Sequence, residues 1–152
     1  MRDLYHFICI LTLAVTFILS LPAYATLGEE FLPESTQQAN PVSKIRETSR
    51  GQYTVNEYTL ASGTLIREFV APTHKVFAVI WKGPFKPDLR QLLGSYFTHY
   101  VTAASNKPYP GRHPVSLRDP HLVIHAGGHM RAFSGIVYLP DQMPAGVRED
   151  EL

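Results

Sequence analysis

Cysteine is almost missing from this chain: the single one among 152 residues, Cys9, lies inside an apolar N-terminal run. Removal of that run leaves no disulfide, no thiolate chemistry and no cysteine-ligated metal within reach of the rest. An excess of charge is missing too, since 14 Lys and Arg face 13 Asp and Glu for a formal net charge of +1. No Lys/Arg cluster marks a surface for nucleic acid or an anionic bilayer. Tryptophan occurs once, at Trp81. The apolar run Phe7 to Leu21 falls short of the ~20 residues that a bilayer span prefers.

What is present at the N-terminus has the layout of a secretory signal peptide. Arg2 gives a modest positive start, Phe7 to Leu21 has h-region length, and helix-breaking Pro22 precedes Ala23-Tyr24-Ala25, small residues where a signal peptidase reads them. Cleavage is expected after Ala25; the competing arrangement is an uncleaved N-terminal anchor. The organisation expected is a signal peptide at 1–25, a polar arm at 26–51, a domain at 52–140 and a tail at 141–152. Roughly 125 residues remain after cleavage, enough for one hydrophobic core without disulfides. The setting expected is the periplasm or outside, with no stable membrane span left.

Thr26 to Gly51 is polar and irregular, with Pro33 and Pro41, although Leu27, Phe31 and Leu32 can tuck one end onto the domain. From Tyr53 the apolar period becomes two, and Ser62-Gly63 reads as a two-residue turn between Tyr53–Leu60 and Thr64–Val70. Val76 to Trp81 is apolar on both faces and reads as a central strand. Pro84 and Pro87 then hold off helix until Asp88, a capping residue. Leu89, Leu92, Leu93, Tyr96, Phe97, Tyr100, Val101 and Ala104 follow at spacings of three and four, the stripe of one long amphipathic helix. Ser105 to Asp119 carries three prolines and reads as a long loop. His121–Ala126 and His129–Leu139 flank Gly127-Gly128, read as the turn of a terminal hairpin. Asp141 to Leu152 reads as a solvated tail. The fold expected is α+β: a single antiparallel sheet of about five strands, β-β-β-α-β-β, packed by that helix.

The segments GPFKPDLRQLLGSYF, Gly83 to Phe97, and GGHMRAFSGIVYLP, Gly127 to Pro140, stand behind a signal peptide and a Tyr-rich first hairpin. In this combination the chain resembles a proteobacterial family of small exported proteins classed as a domain of unknown function. The resemblance covers most of the mature chain. It implies a Gram-negative exported protein and supplies no activity, cofactor or site residue.

Four groups of residues have chemistry to offer. His121, His125 and His129 recur every four residues and are candidate metal ligands, but a Gly127-Gly128 turn would put His129 on the other face from the first two. Ser134 is a candidate nucleophile without a G-x-S-x-G elbow, with His129 expected on the opposite face of the same strand. Glu57 and Glu68 fall opposite one another if Ser62-Gly63 is the turn, the layout of a carboxylate pair, or else of a solvated sheet face. Lys107, Tyr109, Arg112, His113 and Arg118 in the loop, with Arg131, suit carboxylate, phosphate or sugar recognition. Long loops on a rigid scaffold are where recognition tends to sit. The leading reading is a non-enzymatic binding or envelope-accessory protein using the 105–119 loop and an uncovered sheet face, with an envelope protein or small anionic ligand as partner and no cofactor. The alternative is a hydrolase or metal-dependent enzyme built on the hairpin histidines.

Overall fold

Val76–Gly83 carries apolar side chains on both faces, and it becomes the middle strand of a seven-stranded sheet. A computed structural model describes residues 26–30, 46–49, 51–106 and 114–152. In chain order the strands are β1 (Arg46–Ser49), β2 (Thr54–Thr59), β3 (Leu65–Val70), β4 (Val76–Gly83), β5 (Val115–Arg118), β6 (Val123–His129) and β7 (Ala132–Tyr138). They lie side by side as β1-β2-β3-β4-β7-β6-β5, every pair antiparallel. The α+β class and the single antiparallel sheet agree with the sequence. The strand number does not, because β1 sits in the polar arm and β5 in the proline-rich stretch. Both are short edge strands, where pairing with a neighbour outweighs poor local propensity.

The helical segment is two pieces rather than one long helix. Helix α1 (Leu89–Leu93) opens on Asp88, whose side chain accepts the Gln91 N–H at 3.2 Å, as the cap pattern predicts. A 3₁₀ turn over Gly94–Tyr96 follows, then α2 (Phe97–Ser105). Gly94 makes the break: its φ of 50° lies in the left-handed region, and a side chain there would run into Thr26. Leu89, Leu92, Leu93 and Tyr100 are buried, but Val101, read as part of the stripe, is 42% exposed.

Register decides which face each side chain takes. On the first face Tyr58, Ile66, Val79, Trp81, Val137 and Ile124 pack beneath α1 and α2. Leu27 does tuck in here, buried, with its N–H on the Leu92 carbonyl at 3.1 Å. On the second face Tyr53, Phe69 and Phe77 meet with ring centroids 5.8 to 6.1 Å apart, beside Ala78, Val123 and Tyr138. Met143, Val147 and Leu152 pack against that cluster, so residues 141–152 are docked rather than solvated.

Both expected hairpin turns are displaced. Leu60 N–H bonds the Thr64 carbonyl at 2.8 Å, closing a three-residue loop in which Gly63 takes φ 83°. The register therefore slips by one: Glu57 faces Arg67, and Asn56 faces Glu68. At the other end Gly127 and Gly128 belong to β6, and the turn is Met130-Arg131. This register pairs Val123 with Tyr138 and Ile124 with Val137, apolar with apolar on both faces. A Gly-Gly turn would have left that second arm without its partners, so burial outweighs the preferred turn residues and Arg131 accepts φ 64°.

Candidate functional site

Three cross-strand rows make up the second face. One row runs Val55, Phe69, Ala78, Tyr138, Val123 and Arg118; the next runs Glu57, Arg67, Ile80, Ile136, His125 and Ser116; a third runs Lys82, Ser134 and Gly127. The C-terminal segment covers the first row and stops there. The other two remain open as a groove of about 630 Å³, lined among others by Ile80, Lys82, Ser116, His125, Ser134 and Ile136, with Pro114 at the β5 edge.

Glycine in the third row, Gly127, leaves that part of the groove floor without a side chain. Gly127 lies against Pro114, and Gly135 lies over the Trp81 ring on the opposite face, where any side chain would overlap the indole. Ile80 and Ile136 are half-buried neighbours in one row. The Lys82 side chain is exposed at the rim and makes no ion pair or hydrogen bond among the described residues. Ser116 Oγ and His125 Nδ1 stand 3.0 Å apart across β5 and β6, both exposed.

At the covered end, Arg118 donates two hydrogen bonds to the Glu149 carboxylate, at 3.1 and 2.9 Å. The arginine holds that carboxyl below the usual range and is itself raised by it. Burial, reinforced by the nearby Glu149 carboxylate, pushes the Tyr138 phenol up to about 12. A different polar cluster lies under the helices: Glu68 is fully buried with Asn56 beside it and the Tyr58 hydroxyl on its Oε1. Desolvation pushes this carboxyl up to about 8, against the lowering effect of Tyr58, so near neutral pH it is mostly the protonated acid.

Of the residues singled out by sequence, Lys107, Tyr109, Arg112 and His113 lie outside the described residues. Arg118 and Arg131 sit at opposite ends of β6, one clamping the tail and one at the hairpin tip, so those two do not converge. The histidines are held in three separate contacts. His121 pairs with Asp141, which raises its pKa; His125 meets Ser116; His129 Nδ1 lies 3.3 Å from the Met130 carbonyl. Among the described residues no group of three or more His, Cys, Asp or Glu is placed to hold a metal ion. Glu57 and Glu68 take opposite faces, and Arg67 neutralises Glu57 at 2.7 Å. His129 and Ser134 share a face on adjacent strands, one row apart, rather than opposite faces of one strand. The sequence reading missed Ile80, Lys82, Ser116 and Ile136, which only the register assembles.

Chemically, the groove offers an apolar floor, one unpaired cation and neutral donors and acceptors. No helix among the described residues is long and apolar enough to cross a membrane. No curated protein and no solved structure matches the chain. Residues 23–152 match the family described as a protein of unknown function, DUF2844. The chain belongs to the DUF2844 family.

Proposed function

We propose that the protein is an exported, non-enzymatic binding or envelope-accessory domain of proteobacterial type, with residues 1–25 as a cleaved leader. Its ligand or partner occupies the open half of the second face, where Pro114 and Ser116 of the 105–119 segment line the groove. One observation carries this reading: the second face of the sheet keeps an open, partly apolar groove of about 630 Å³ rimmed by an unpaired lysine. Grooves of this size with few polar groups suit small ligands. The family match beginning at residue 23 accords with a leader that ends near Ala25. The test is native mass spectrometry of protein purified from producing cells, beside Ile136→Lys, which puts charge on the floor. A species retained by the wild type and lost in the variant is expected. The same species on both, or none on either, contradicts the reading.

A second reading rests on Ser116 and His125. Their 3.0 Å contact gives a hydrolase its nucleophile and base, although no carboxylate hydrogen-bonds that imidazole among the described residues. Turnover of a nitrophenyl ester that Ser116→Ala abolishes would favour it; residual turnover unchanged in Ser116→Ala would dismiss it.

A further inference from the structure

We propose that the groove takes an elongated apolar acid, its anionic head at Lys82 and its hydrocarbon body across Ile80 and Ile136 toward Ser116. This deepens the binding reading and rests on it. The chain's own C-terminal segment shows what the second face accepts. Met143, Val147 and Leu152 lie on its apolar row, while the Glu149 carboxylate is gripped by Arg118 at the row's end. The open rows repeat that arrangement without an occupant from this chain. Ile80 and Ile136 supply the apolar strip, and Lys82 is the cation, paired across strands with Ser134, whose exposed hydroxyl can donate to an anion.

Spacing sets the size. Strands lie ~4.8 Å apart and same-face residues ~6.8 Å apart along a strand, so β4 to β5 across β7 and β6 spans ~14 Å. A body of about eight to ten carbons fits that length, and the groove volume is of small-ligand size. The charge argues for an acid over a neutral or cationic amphiphile. Arg67 on the same row is already engaged by Glu57, and Arg118 by Glu149, which leaves Lys82 as the cation free to meet a ligand among the described residues of these rows.

The test is NMR titration of the Ile80 and Ile136 methyl signals in the purified protein with sodium octanoate and with octylammonium, both below micelle formation. Octanoate is expected to shift both signals saturably and octylammonium to bind about two- to fivefold more weakly, the size of one exposed charge interaction. Lys82→Met should remove that preference and Lys82→Arg should keep it; Lys82 is exposed, so circular dichroism should be unchanged in both variants. Equal binding of the two amphiphiles, or an octanoate preference that survives Lys82→Met, overturns the proposal. If octanoate does not bind while the native protein carries a species that Ile136→Lys loses, the binding reading stands and the acid class is wrong. If both fail, the groove is not a ligand site.

Discussion

The Tyr58 hydroxyl donates a 2.7 Å hydrogen bond to Oε1 of Glu68, and both side chains are buried between the sheet and its helices. The other carboxyl oxygen, Oε2, has no hydrogen-bond partner there among the described residues. Leaving such a group uncharged is far cheaper than burying a carboxylate, which is why its pKa rises.

A pH dependence follows, and its sign is fixed. Glu68 binds its proton up to about pH 8 when folded, against the ordinary value of 4.5. Its stabilising contribution is complete below pH 4.5 and is lost as pH rises toward 8, on the order of a few kcal/mol. His121, raised by Asp141, acts in the same direction above its ordinary 6.5. The readout is therefore the difference between wild type and Glu68→Gln in urea midpoints at pH 5, 7 and 9. The variant should gain relative to wild type as pH rises; parallel curves would show that Glu68 ionises without cost.

Leu93 lies fully buried beneath the sheet. Leu93→Ala should cost ~2–5 kcal/mol in denaturant unfolding. A near-neutral result would mean that α1 does not pack on the first face.

Gly135 has the Trp81 ring where a side chain would stand. Gly135→Ala should cost ~1–3 kcal/mol and shift the fluorescence of the only tryptophan. Unchanged stability and emission would place the indole elsewhere.

The docked tail divides into packing and charge. Removing residues 143–152 uncovers Phe77, Val123 and Tyr138, so melting temperature should fall and an apolar dye should bind. Arg118→Ala breaks an exposed ion pair and should change melting little. Equal effects of the two changes would contradict this division.

Local signals were legible in the sequence wherever one element decides its own conformation. Asp88 as cap, the Leu89-Leu92-Leu93 stripe and the two-sided burial of Val76–Trp81 all read correctly. Pairing was not legible, because Ser62-Gly63 serves a two-residue or a three-residue loop equally well, and one residue of slip exchanged Glu57 for Asn56 opposite Glu68. Gly127-Gly128 misled for a related reason: turn propensity is worth less than the burial gained by pairing Val123 and Ile124 with Tyr138 and Val137. An open sheet face was expected, but its members were not, since Ile80, Ile136, His125 and Ser116 come from four strands and meet only through three registers.

The most direct measurement is photo-crosslinking in intact cells from a probe residue at Ser134, in the groove, beside one at the exposed Thr98 on α2. A specific, saturable adduct from position 134, absent from position 98 and competed by loss of Ile136, is the result expected. Adducts from both positions alike, or from position 98 alone, would contradict the assignment of the open half of the second face as the binding surface.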